Sequence, residues 1–297
     1  MGQRVVVRRV LPGETGPSGG PAMTDVLGTC TAWGDGVCVI EPDGEGPREP
    51  VTIRLRDIVS GKPVPPRPST RHRVSPAEAQ RRALALWPDL ETEPLGDWLL
   101  RRSRTSTARR ANSVLAMGPP GVEEAYERVV AHYEALGQRP IAAVLPDSDD
   151  DALFRDHGWV LESHDHDTVF QLAGVAAARR SIAGVSLPGI DVAVVGDDRL
   201  VTAEASTDDG RVLASGVAAY ADDWVGFRTI EVDPAERGRK LGLLVMAELL
   251  EWGAERGATT AYLQVLGDNT DALRLYGRLG FREHHRYRYL ALDEPDV

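Results

Sequence analysis

The feature of this 297-residue chain that most limits its fold lies in residues 230–281. The stretch opens as I-E-V-D-P-A-E-R-G-R-K-L-G, Ile230 to Gly242, and closes as L-Q-V-L-G-D-N-T-D-A-L-R-L-Y-G-R-L-G-F, ending at Phe281. The β-branched run ending at Val232 reads as a strand, and a turn rich in Gly and Arg leads into an apolar helix over 241–256. A second strand over 261–266 is expected next, then a polar loop with Asn269, a short helix over 271–279 and a last strand over 282–292. Strands alternating with helices define an α/β chain.

The Gly/Arg turn has a chemistry of its own. The first N–H groups of a helix have no partner within it, and the helix dipole adds positive potential there. Gly238 and Gly242 let a bulky group approach the backbone, while Arg237, Arg239 and Lys240 add charge. Asn269 follows Gly242 by 27 residues, and Tyr276 comes seven later. Together the two motifs can hold a diphosphate-containing ligand and set a phenol beside its reactive end.

The rest of the chain divides into three parts. Residues 1–68 read as a small all-β module, with strands over 4–11, 25–33, 36–41 and 51–59, and a Src-homology-3-like barrel is the expected closure. The run P-V-P-P-R-P over 63–68 is extended and marks a boundary. From Ser75, a helix-cap residue before Pro76, strands alternate with helices. Residues 75–175 and 180–297 echo each other. Aligning Gly158-Trp159 with Gly280-Phe281 puts Phe154 opposite Tyr276. The Gly/Arg turn is replaced by M-G-P-P-G-V, whose prolines remove backbone donors. A repeat is inferred in which only the second copy keeps the chemistry.

Composition narrows the class. Apolar content of 42% and charged content of 27% fit a soluble globular protein, and no apolar run reaches the roughly 18 residues of a membrane span. The start carries no signal-peptide pattern, so a cytoplasmic protein is expected. A net charge of −11 argues against broad nucleic-acid binding, and Trp33 is the single aromatic residue of the first module. Residues 62–110 run the other way, with 11 Lys+Arg against 5 Asp+Glu, a net of +6. That stretch is either a solvated face or a patch for an acidic partner or anionic cofactor. Cys30 and Cys38 have neither redox nor zinc spacing, and no metal site is expected.

These motifs resemble the GNAT superfamily of N-acetyltransferases. Arg237 and Gly242 match its Arg/Gln-x-x-Gly-x-Gly/Ala signature, with Lys240 in place of the middle glycine. Asn269, Leu275, Tyr276, Leu279, Gly280 and Phe281 match the downstream pattern, with Ala272 displaced by one position. The resemblance covers about residues 180–292 strongly and 75–175 weakly. It implies a mixed sheet with flanking helices, in two tandem copies behind the small barrel. It also implies acetyl-CoA as cosubstrate in a V-shaped gap between the strand ending at Val232 and the strand over 261–266. The expected contacts are the backbone near Ile230 and Val232, then Arg237, Gly238, Arg239, Lys240, Leu241, Gly242 and Leu243, with Asn269 and Tyr276.

By the same resemblance an amine attacks the thioester directly and Tyr276 protonates the departing thiolate, a task that suits a phenol at neutral pH. Some members use a glutamate where this chain has Gln264, so the base is Glu231, water or, less favoured, His284 or His285. Lys240 and Gln264 keep open an alternative, a non-catalytic acyl-CoA sensor or scaffold whose first module binds a protein partner.

Overall fold

The computed structural model describes residues 2–16, 19–43, 49–64, 70–163 and 167–292. The chain forms two compact units, Met1–Ser69 and Thr70–Val297. In the first, β1 (Arg4–Thr15), β2 (Pro21–Gly34), β3 (Val37–Pro42), β4 (Val51–Arg54) and β5 (Ile58–Pro63) form an antiparallel sheet in the order β4-β3-β2-β1-β5. Val7, Cys38, Ile40 and Ile53 fill its core. The strand expected over 51–59 is broken by a 3-10 turn at Leu55–Asp57. β4 and β5 therefore lie at opposite edges of the sheet. No pairing joins those edges among the described residues, so the expected barrel is seen as a five-stranded sheet without closure. Cys30 and Cys38 sit on neighbouring strands as free thiols, 3.9 Å apart. Most of the proline-rich stretch, Pro65 to Pro68, lies outside the described residues.

The second unit is one 12-stranded mixed sheet with helices on both faces. Its earlier section runs α1 (Pro76–Arg82), β6 (Leu90–Leu95), β7 (Trp98–Ser103), β8 (Val114–Ala116), α2 (Ala125–Ala135), β9 (Ile141–Val144), α3 (Asp149–Asp156), β10 (Trp159–Leu161), β11 (Thr168–Gly174) and α4 (Val175–Ser181). The later section runs β12 (Ile190–Gly196), β13 (Leu200–Thr207), β14 (Val212–Ala221), β15 (Trp224–Val232), α5 (Leu241–Glu255), β16 (Thr260–Leu266), α6 (Thr270–Arg278) and β17 (Arg282–Leu292). Each section has one parallel strand pair joined through a helix: β8 with β9 through α2, and β15 with β16 through α5.

The two sections exchange strands. β11 leaves the earlier section and inserts between β16 and β17 of the later one. The far half of β17 crosses back, pairing Arg288 to Ala291 with β9 and Leu290 to Leu292 with β10. Each section's sheet is thus completed by the other's strand, so both share one hydrogen-bonded sheet and one compact unit.

α5 buries Leu241, Leu244, Val245, Leu249 and Trp252 against β13–β15, a helical i, i+3, i+4 stripe. Fully burying one such side chain contributes roughly 1.5–3 kcal/mol, so the helix start is anchored firmly beside the end of β15. Gly226 and Gly253 make room for close packing: a Cβ on Gly226 would lie 2.0 Å from the Tyr262 ring, and one on Gly253 2.7 Å from Val225.

Candidate active site

The parallel pairing of β15 with β16 ends at Phe227 opposite Leu263. From Arg228 onward β15 keeps its partner β14 on one side and loses β16 on the other. The strands splay, and a cavity of about 460 Å³ opens in the fork. Ile230 and Glu231 line one wall, Gln264 and Leu266 the other, and Asn269, Ala272 and Tyr276 close it from the α6 side.

Backbone strain marks the fork. Thr229 has φ +52, and the β14–β15 register slips between Ser215 and Val217. A β-branched residue at positive φ is a genuine outlier, and bulges re-aim side chains beside functional sites. Gly216 stands opposite, where a Cβ would lie 2.4 Å from Ile230 Cδ1. Glu231 emerges beyond the bulge as an exposed wall residue of the fork.

Beyond Val232 the chain turns through Pro234–Glu236 and reaches α5 with Gly238 at φ +80 and Lys240 at φ +65. The cap of α5 has no side-chain hydrogen bond, so no side chain plugs the helix start. The N–H groups from Arg237 to Gly242 find no acceptor among the described residues, whereas Leu243 N–H already donates to Lys240 O at 3.0 Å. Arg237, Gly238, Arg239 and Lys240 are exposed, and Arg239 is tied to Glu236. The Leu241 side chain is core, which leaves only its backbone for a ligand.

Tyr276 is half-buried, lies edge-on to Phe281 with centroids 5.9 Å apart, and makes no hydrogen bond through its hydroxyl among the described residues. Burial pushes its pKa above the ordinary phenol value. The phenol therefore holds its proton across the neutral range. Asn269 caps α6, its Oδ1 accepting from Ala272 N–H at 3.1 Å, and its amide nitrogen is left for another contact. His284 and His285 do not line the fork. His284 contacts Val74 O, and burial holds His285 down to about 3.

Sequence reasoning missed the far wall. Ala108, Arg109 and Arg110 reach the fork from the earlier section, and Arg228 stands at its apex. Arg110 Nε donates to Tyr287 Oη at 3.1 Å, and Tyr287 in turn donates to Gln264 Oε1. The net positive stretch over 62–110 was the one signal available in the sequence, and two of its arginines end here.

The corresponding places of the earlier section are filled. Gly118 N–H donates to Asp150 Oδ2 at 2.6 Å, and Trp98 Nε1 donates to Gly118 O at 2.7 Å. Phe154 is wholly buried between Trp98 and Trp159. A carboxylate occupies the turn where a phosphate would need donors.

Splayed parallel strands, a capless helix start and the strand order define the fold of the GCN5-related N-acetyltransferases. A solved protein of that class from Kribbella flavida superposes with a TM-score of 0.58 at 17% identity, over 74% of this chain and 96% of its own. More particularly, the chain belongs to the family described as probable histone acetyltransferase Rv0428c C-terminal, which matches residues 78–290. It is 27% identical to the probable histone acetyltransferase Rv0428c of Mycobacterium tuberculosis over 98% of this chain and 95% of that protein. It is 36% identical to the uncharacterized N-acetyltransferase YobR of Bacillus subtilis over 26% of this chain and 33% of that one. The matches span a third or less of the first curated relatives' lengths.

Proposed function

We propose that the protein is an acetyl-CoA-dependent N-acetyltransferase that passes the acetyl group directly to an amine, with Tyr276 as general acid. The observation that carries this is the fork itself: an unpaired β15 edge and an unpartnered phenol line one gap, and β15 leads beyond it to a turn whose N–H groups from Arg237 to Gly242 are unused. Acetyl-CoA fits those donors and supplies the activated acyl group. The backbone of Ile230 and Val232 would hold its pantetheine arm, and the turn from Arg237 to Gly242, with Lys240, its diphosphate.

A backbone N–H near Val232 would stabilise the developing oxyanion, a contribution of about 3–4 kcal/mol. The incoming ammonium gives up a proton to Glu231 or to water. The amine lone pair then forms the C–N bond, the acylated nitrogen loses its second proton to water, the C–S bond breaks, and Tyr276 donates its proton to the thiolate. The phenolate recovers a proton from solvent. Two copies of the fold, one keeping the chemistry, account for the filled turn at Gly118.

Titration calorimetry with acetyl-CoA, followed by CoA-release assays over a panel of amines, tests the reading. Saturable binding with amine-dependent release is expected. Binding with no release on any amine would favour a sensor, and no binding would defeat the proposal.

A further inference from the structure

We propose that the amine accepted at the fork carries its own carboxylate, gripped by Arg110 and Arg228; this rests on the acetyl-transfer reading above. Both arginines are half-buried and line the fork. Neither has a carboxylate oxygen within 4.0 Å among the described residues, although arginines nearby do: Arg109 pairs with Glu162, Arg288 with Asp167 and Arg82 with Glu78.

What Arg110 and Arg228 do have are neutral partners that aim them without cancelling their charge. Arg110 Nε donates to Tyr287 Oη at 3.1 Å and the Tyr289 hydroxyl lies by the same guanidinium, so both of its neighbours are neutral and a carboxylate can still take its terminal N–H groups. Arg228 Nε donates to Leu86 O at 3.1 Å, and its guanidinium lies 4.8 Å from the centre of the Trp87 ring. Two half-buried cations with no directly paired carboxylate are costly, and an anion entering the fork offsets both. Burial depresses the Arg228 pKa, and the more distant Asp89 carboxylate opposes it in part.

The position separates this anion from the cosubstrate's phosphates. Arg228 is the first β15 residue past the parallel pairing, whereas the diphosphate turn begins after Val232, about 13 Å further along an extended strand. Glu231, on the same wall, supplies the opposite charge for the amine end. The fork is therefore complementary to a small amino acid, and two cations at its apex disfavour a lysine-rich segment.

The test uses the full-length protein with matched acceptors: α- and ω-amino acids, each beside its primary amide, together with O-phosphoethanolamine and an amidated lysine-rich peptide. The acids are expected to exceed their amides by ~10²-fold in kcat/KM, the size of charge-assisted contacts. Arg110→Gln and Arg228→Gln should each raise KM for the acid ~10-fold or more, with the acetyl-CoA Kd unchanged. Amides, the peptide or O-phosphoethanolamine turning over as well as the acids would overturn the proposal. A second readout does not need turnover: the Nε–Hε resonances of both arginines, titrated with N-acetylglycine and N-acetylglycinamide. A saturable shift with the acid alone supports the carboxylate site even if no amine is acetylated, which would then sink only the transfer reading. Equal shifts, or none, overturn the carboxylate site.

Discussion

At the scale of single residues, Tyr276 and Asn269 carry the sharpest expectations. Tyr276→Phe keeps the edge-on contact with Phe281 and removes only the hydroxyl. Turnover is expected to fall ~10²-fold or more with acetyl-CoA binding retained, read by CoA release beside calorimetry. Unchanged turnover would remove Tyr276 from the acid role. Asn269 has two tasks that substitution can separate. Asn269→Ala loses the α6 cap and should cost about 1 kcal/mol in denaturant unfolding, whereas Asn269→Ser restores the cap. Both should weaken acetyl-CoA binding about 2–10-fold, because a hydroxyl cannot replace the amide donor. If the serine variant binds normally, Asn269 is only a cap.

At the scale of elements, the fork depends on how tightly β15 and β16 hold together below it. Gly226 lies in that paired region, with the Tyr262 ring where its Cβ would be. Gly226→Ala is expected to destabilise the protein by about 1–3 kcal/mol, measured by urea unfolding, and to loosen acetyl-CoA binding with it. A fully stable variant would mean that the ring moves aside freely. The elements around the fork were legible in the sequence because their signals are local. Apolar periodicity gave the helix after Lys240, observed as Leu241–Glu255, and the polar loop with Asn269 bounded the short helix observed as α6. The strand exchange was not legible: β11 and the end of β17 are extended apolar segments whatever they pair with. The Thr229 bulge and the arrival of Arg110 were hidden for the same reason. Each is decided by a partner far away in the chain, and a single sequence records no pairing. β6 was missed because proline and acidic residues interrupt its pattern, which an edge strand tolerates.

At the scale of the whole second unit, a neutral histidine chain ties α1 to the centre of the sheet. Gln80 Nε2 donates to His285 Nε2 at 3.1 Å, His285 Nδ1 donates to His284 Nδ1 at 2.7 Å, and His284 Nε2 donates to Val74 O at 2.8 Å. With both rings neutral only that assignment of protons satisfies every bond, and charging either ring sets donor against donor as long as the Gln80 amide keeps its nitrogen toward His285. Burial first, and then the neighbouring His284, holds His285 down to about 3. A histidine depressed in the folded state stabilises fully above its unfolded pKa of about 6.5, and that stability is lost as pH falls toward 3. Unfolding free energy should therefore drop between pH 6.5 and 4 with a slope of up to about 1.4 kcal/mol per pH unit from this group. His285→Gln should flatten it. An unchanged slope would assign the acid sensitivity elsewhere.

The claim that main-chain donors at the start of α5, rather than those of the earlier section, hold the cosubstrate is tested most directly by amide NMR. Acetyl-CoA would be titrated into the labelled protein while the signals of Ile230 to Val232, Arg237 to Gly242 and Met117 to Val122 are followed. Saturable shifts in the first two groups and none in the third are the expected result. Shifts confined to Met117–Val122, or no saturable shift at all, would contradict it.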